Sequence, residues 1–399
     1  MKEALIEQFE DKLDGHAEEI VSLRRHLHRY PELSNQEFRT TSLLTERLSA
    51  AGFEVHVRPE GTGFFADLTP AGFSPETHRT VAIRADLDAL PIHEMTGLEF
   101  ASEVPNVMHA CGHDVHMSVV TAIGIAANAL ELPGRLRLIF QHSEESIPGG
   151  ALDMVAMGAV EGVDYVLGMH VDPELEVGKI GVKSGAFTAA FDTFRFEITG
   201  KSGHGARPHH CVDPIYVLTQ VANALYQAFG RRLDARDPTV FSIGMINAGT
   251  APNIIPEKAT MSGSVRTLSQ AQRDQVPDLL RQVAAGICAA HGATYALDLI
   301  HGAPAIINNP DVCDAISAAT VEVLGAQSLH QIALPSMGSE DFSVYLQDTP
   351  GAMCRVGVAR ADQPKYFLHS AHFAPDESAL LIAAKVLGRA ALTLMTSSK

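Results

Sequence analysis

The chain has 399 residues, 46% of them hydrophobic and 19% charged. That balance suits a globular protein, and the length exceeds one ordinary core, so two domains are expected. The formal net charge of −17 and the pI near 5.5 oppose nucleic-acid binding, which needs a basic footprint.

No uninterrupted apolar run reaches the roughly 18 residues of a bilayer span, so no membrane is expected. The first residues, "MKEALIEQFEDKLDG", are charged throughout and lack the apolar centre of a secretory signal. The expected location is cytoplasmic. Five scattered cysteines, none in CxxC spacing, give no disulfide framework.

In chain order, the pattern predicts one helical segment up to about Arg29, stopped by Pro31. "SNQE" (Ser34 to Glu37) has the spacing of a capping box, and the helix after it ends at Ala51-Gly52. Strand-like runs "FEVHV", "GFFADL" and "TVAIRADLDAL" follow, then an apolar helix "VHMSVVTAIGIAANAL", a strand "RLRLIF", a helix near Gly150 to Ala159 and a buried strand "DYVLGMHV". Alternation of this kind predicts an α/β fold with a mostly parallel sheet flanked by helices. From about Ser184 the order becomes β-α-β-β-α-β, the pattern of a ferredoxin-like unit. The expected organisation is a discontinuous first domain, 1–184 and 296–399, interrupted by a satellite domain over 185–295. A long helix from about Pro375 closes the chain.

Several chemistries are absent. There is no GxSxG elbow, no HExxH and no GxGxxG after a strand. "GKS" at Gly200 lacks the upstream glycine of a phosphate loop, because that position is Arg195.

What remains is a scattered set of metal-type side chains. Asp86 and Asp88 close a predicted strand, Cys111 and His113 precede a helix, Glu144 and Glu145 follow a strand, His170 closes another, and His369 lies in "YFLHSAH". Most fall at carboxyl ends of strands, where open α/β sheets bind ligands. Alone, Cys111 in "HACGHD" could be a nucleophile, a redox partner, a metal ligand or a small buried hydrophobe. Together, thiolate, imidazole and carboxylate suit zinc, manganese, cobalt or nickel. Two adjacent carboxylates in a pocket repel; a cation relieves them, one binding it and the other free as a base. That is machinery for hydrolysing an amide. His109, His116 and His142 are expected no nearer than behind the ligands. In the satellite, "GKSGHGARPHH" holds His204, "APNIIPE" holds Asn253 and "SGSVRT" holds Arg266. An imidazole, an amide and a guanidinium suit an oxyanion and a carboxylate.

These segments, with "LRRHLHRYPELSNQE", "RADLDALPI", "GMHV" and "GSEDFS", resemble the M20 metallopeptidases nearly end to end, and within them the amidohydrolase branch. The resemblance implies a dimerising satellite domain and two divalent metal ions per subunit. Their ligands would be Cys111, His113, Glu145, His170 and His369. It implies Glu144 as general base, Asp86 behind the ligands, and Asn253 and Arg266 as substrate-binding residues. His204 would stabilise the oxyanion in the active site of the other subunit of a homodimer. The implied substrates are N-acyl amino acids; a dipeptidase of the same fold, or a metal-binding relative without catalysis, are the alternatives. Two departures stand out. "QHSEES" puts His142 and Ser143 where the family usually has proline and alanine, and Arg84 stands where other branches carry a metal-binding histidine.

Overall fold

The computed structural model describes residues 2–397 apart from Ala129 and Gln363. The chain folds as two compact units: Met1–Phe187 with Ile306–Leu334 and Asp341–Lys399, and Thr188–Ala305 with Pro335–Glu340. Helices α1 (Lys2–Gly15), α2 (Ala17–Arg29) and α3 (Phe38–Ala50) precede β1 (Glu54–Val57), β2 (Phe64–Leu68) and β3 (Thr80–Asp86). Then come α4 (His113–Asn128), β4 (Arg135–Gln141), α5 (Ala151–Ala156), β5 (Tyr165–Glu176), β6 (Ile180–Val182) and β7 (Gly185–Thr188). The inserted unit holds β8 (Ala190–Thr199), β9 (Gly203–His204), α6 (Pro214–Arg232), β10 (Thr239–Ala248), β11 (Ile254–Ile255), β12 (Lys258–Thr267), α7 (Gln270–His291) and β13 (Thr294–His301). The chain returns through β14 (Ile306–Asn308), α8 (Pro310–Leu324), β15 (Leu329–Gln331), β16 (Gly351–Ala359) and α9 (Ser378–Thr396).

In the first unit an eight-stranded sheet has the order β1-β2-β4-β3-β5-β16-β6-β15. Its centre, β4-β3-β5-β16, is parallel, while β1, β2 and the β16–β6 pairing are antiparallel. β3 is buried at every position because both of its faces are covered, the rule for parallel strands. The core on one face is built from α4, α9 and the strands: Val119, Ile123, Leu138, Met169, Leu387 and Ala391 are all within it. α4 is buried over nearly its whole circumference, so it carries no amphipathic stripe. Its one acidic residue in the first turn, Asp114, is bonded by Arg24 at 2.7 Å and His28 at 2.9 Å, which fastens α2 to it.

The inserted unit carries a four-stranded antiparallel sheet, order β10-β12-β8-β13. β8 alternates buried and half-exposed residues, and its inward Phe194, Phe196 and Ile198 meet Val217, Val221, Leu225 and Leu280 of α6 and α7. The helices start where capping chemistry puts them. Asp213 accepts from the backbone amides of Ile215 and Tyr216, and Ser269 from that of Gln272.

Three expectations need correction. The first helical segment is two helices, broken at Gly15-His16, where glycine is the poorest helix former short of proline. "SNQE" is not a capping box: α3 starts after Glu37, with no side-chain cap. The division between the units falls at 305/306, not 295/296, because β13 pairs with β8 along eight residues, and 335–340 also joins the inserted unit. Separately, α9 has the length and mean hydropathy (1.6) of a membrane-crossing helix, although Lys385 and Arg389 interrupt its apolar run. It packs on α1, α4 and α8 instead, and its Lys385 and Arg389 pair with Asp14 and Glu10 of α1 at 2.8 and 2.7 Å.

Candidate metal centre

β3 is followed in the chain by β4 on one side and later by β5 on the other. The chain leaving β3 therefore runs to one side and the chain leaving β5, toward β6, to the other, and the crevice between the carboxyl ends of β3 and β5 is the topological switch point of the sheet. Asp86 ends β3, the glutamate pair follows β4, and His170 lies in β5 beside them. α4 begins at His113, with Cys111 two residues earlier. Gly112 between them has φ +82°, and a Cβ there would lie 2.5 Å from a Val171 methyl, so only glycine lets both neighbours turn inward. His369 comes from the far end of the chain, and its amide donates to the Ala110 carbonyl at 2.9 Å, which ties its loop to the cysteine loop.

The structure brings together all six residues read as ligands or base. Cys111, His113 and His170 form one group of potential donors, Cys111, Glu145 and His369 a second, and His113, Glu144 and Glu145 a third, each with its atoms within 4.8 Å of one another. Cys111 Sγ lies 3.5 Å from His170 Nε2, His369 Nε2 3.2 Å from Glu145 Oε1, and His113 Nε2 4.0 Å from Glu144 Oε2.

The donor set fits divalent cations on three counts. His113 and His170 each commit Nδ1–H to a backbone carbonyl, of Asp88 and Val171, both at 2.8 Å. That fixes the tautomer and leaves Nε2 as the lone-pair face. His113 Nε2 is buried without a hydrogen-bond partner, a group that a cation would satisfy. Burial also pushes the Cys111 thiol well above its usual range, so a thiolate there needs a positive charge beside it.

Asp86 stands behind the donors. It accepts from His116 Nδ1 at 2.6 Å and Arg84 Nη1 at 2.6 Å, and lies 3.6 Å from His113 Nε2. Burial alone would raise its carboxyl, but His113, His116 and Arg84 hold it well below the carboxylate range. His116 Nε2 accepts the Val171 amide at 3.1 Å, so both its ring nitrogens are used and it orients Asp86. His109 is wholly buried with both ring nitrogens unbonded, and burial lowers its pKa to about 4, keeping it neutral. His142 lies 3.3 Å from Asp153. Arg84 is a structural cation: it also bonds Gln141 and Asp341, both at 2.9 Å.

Asp88, one of the metal-type side chains of the sequence, makes contacts that the sequence does not reveal. Asp88 accepts the Glu144 amide at 3.0 Å with Oδ1 and the Glu145 amide at 2.9 Å with Oδ2, so a single carboxylate positions both glutamates. Ser34 Oγ bonds Asp88 at 2.7 Å, Asn35 bonds Ser143 Oγ at 3.0 Å, and Glu37 accepts the Ser143 amide at 2.8 Å. Three residues of "SNQE" therefore serve the glutamate loop rather than a helix end. Ser143 has φ +52°, the turn that this clamp holds. The one signal available in sequence was "DLD", an acid two residues after Asp86, which a strand's alternation would place on the same side.

The remaining candidates lie in the inserted unit. His204 is exposed; its Nδ1 accepts the Ala206 amide at 3.0 Å, which leaves Nε2 toward solvent. Asn253 is brought near it, since its carbonyl accepts the Gly205 amide at 2.9 Å. Arg266 stacks on Phe191 at 4.7 Å and donates to the Met337 carbonyl at 2.9 Å; burial lowers its pKa.

A thiol, three imidazoles and a carboxylate pair at the switch point of a mostly parallel sheet are the features of a metal-dependent hydrolase. The family is established by comparison: the profile of peptidase family M20/M25/M40 matches residues 82–393, and the chain belongs to that family. It is 40% identical over 304 residues to an N-acyl-L-amino acid amidohydrolase of Geobacillus stearothermophilus, covering 76% of this chain and 81% of the relative. It is 37% identical over 400 residues to thermostable carboxypeptidase 1 of Saccharolobus solfataricus, covering 99% of this chain and 100% of that one. Among solved structures, a Bacillus subtilis protein described as a dinuclear metal binding peptidase of the M20 family superposes with TM-score 0.83 at 34% identity, over 96% and 99% of the two chains.

Proposed function

We propose that this protein hydrolyses the amide bond of N-acyl amino acids, releasing a carboxylic acid and a free amino acid. The observation that carries this reading is the clamped glutamate pair. Glu145 is aligned with Cys111 and His369, while Glu144 faces His113 from the same turn. Cys111, His113, Glu145, His170 and His369 would hold two divalent ions, of zinc, manganese, cobalt or nickel. Ions bound there supply Lewis acidity, polarising the amide carbonyl and acidifying water.

Glu144 takes the proton of the attacking water and returns it to the departing nitrogen, the role suited to the carboxylate of the pair that is not counted among the ligands. Asp86 and Asp88 keep His113 and the glutamates aimed throughout. His204 supplies an N–H for the oxyanion, acting in the partner's site of a cytoplasmic homodimer. Asn253 and Arg266 bind substrate. The open edge at β10, with Met245 and Ile246 exposed, supports the dimer. The Geobacillus relative's name supports the reaction, and the carboxypeptidase relative fits the same bond, an amide whose nitrogen belongs to a carboxylate-bearing amino acid.

The test is hydrolysis of a panel of N-acetyl and N-benzoyl amino acids and glycyl dipeptides, after chelation and after restoring each metal. Restored turnover of the N-acyl substrates is expected. Glu144→Gln should keep its metal and lose about 100- to 10,000-fold in kcat. Cleavage of dipeptides alone would move the assignment to a dipeptidase.

A further inference from the structure

β16 runs parallel to β5 with Arg355 directly opposite His170. Residues paired in parallel register project from the same face of a sheet. On β5, Leu167, Met169 and Val171 enter the larger core, as do Ala352, Cys354 and Val356 of β16. His170 and Arg355 therefore share the other face, the one where Met353 and Phe187 are buried. The guanidinium of Arg355 lies 5.3 Å from the Phe187 ring centroid, which holds its stem on the face that carries the metal-ligating imidazole.

Charge balance distinguishes Arg355 from the wholly buried arginines. The wholly buried guanidinia of this unit are neutralised, Arg24 by Asp114 at 2.7 Å and Arg84 by Asp86 at 2.6 Å. Half-buried Arg355 has the Phe187 ring, and among the described residues no carboxylate pairs with it. A cation there repels bound metal ions, so it is unfavourable until an anion arrives. A planar guanidinium with a free fork is suited to a carboxylate.

We propose that Arg355 is a substrate-specificity residue that binds a carboxylate of the substrate beside the metal centre. This rests on the amidohydrolase reading above. The carboxylate has two possible sources, the α-carboxylate of the amino acid to be released or a second carboxylate on its side chain.

The experiment compares wild type, Arg355→Met and Arg355→Lys on N-acetyl-L-alanine, N-acetyl-L-alaninamide and N-acetyl-L-glutamate. In parallel, calorimetric titration of the same ligands into metal-loaded Glu144→Gln protein, with and without Arg355→Met, reads binding without turnover. The expected result is a KM for N-acetyl-L-alanine raised about 10- to 100-fold in Arg355→Met, with kcat within about threefold, no change for the amide and partial recovery in Arg355→Lys. A loss confined to N-acetyl-L-glutamate would support the proposal with the side-chain carboxylate as ligand. Unchanged preference for carboxylate over amide in Arg355→Met, in both turnover and titration, overturns it. Carboxylate binding that depends on Arg355 without hydrolysis of any N-acyl amino acid would keep the subsite and refute the reaction.

Discussion

Replacing Asp88 by Asn tests whether the glutamate pair is positioned by one shared carboxylate. Asp88 accepts the amides of Glu144 and Glu145 on separate oxygens, at 3.0 and 2.9 Å, and the Ser34 hydroxyl at 2.7 Å. Asparagine is nearly isosteric but has one acceptor oxygen. One of the two amides then faces an NH2 group and loses a charged acceptor, an interaction worth about 1.5–3 kcal/mol. If that loss falls on the placement of the base, kcat/KM drops roughly 10- to 150-fold at 1.36 kcal/mol per factor of ten. Turnover of an N-acetyl amino acid is measured at saturating metal, alongside metal content and melting temperature. Full metal content with reduced kcat is expected. It is refuted if Asp88→Asn keeps more than half of wild-type kcat/KM. A fall in activity that merely tracks lost metal would show that Asp88 holds the ligand Glu145 and not the base.

Gly112→Ala should lower metal affinity, since the new methyl meets Val171 at 2.5 Å and the φ of +82° disfavours alanine; metal retained against a graded chelator series reads this, and wild-type retention would contradict the tight turn. Glu37 should give a pH signature: burial, helped by the Asp88 charge, pushes its carboxyl from 4.5 up to about 7. Between those values the unfolded chain is ionised and the folded one keeps its proton, so stability is fullest below pH 4.5 and declines by about 3 kcal/mol as pH rises to 7. Urea midpoints of wild type and Glu37→Gln across that window should diverge in the variant's favour as pH rises, and parallel curves would exclude the buried carboxyl as their cause.

Much of the site was legible because its residues sit where an α/β sheet must present them. Asp86 ends β3, Glu144 and Glu145 follow β4 and His170 lies within β5, strands that sequence periodicity identifies and that converge at a switch point whatever the loops do. The ferredoxin-like order of the insert was legible for the same reason, since β8 and β13 alternate along their lengths. Legibility failed where a side chain's partner is distant in the chain. Ser34 and Glu37 have the local spacing of a helix cap, and nothing nearby in sequence reveals that they reach Asp88 and Ser143, 54 and 106 residues away. Arg355 failed in another way: an arginine in an apolar strand looks like an edge residue until the register places it opposite His170.

The clamp and the "QHSEES" departure bear on each other. With Ser143 at the position before the glutamate pair, the loop gains a hydroxyl that bonds both Asn35 and Ser146. Its backbone amide is meanwhile taken by Glu37. An alanine at position 143, as the family usually has, would keep the amide that Glu37 accepts but not the hydroxyl, so Asn35 and Ser146 would lose the partner they share. The serine, Asn35 and Glu37 therefore form one polar unit in which each member satisfies another. The raised Glu37 carboxyl is the residual cost of that unit. The aim of Glu144 is therefore set as much by the segment before α3 as by β4, the strand that precedes it.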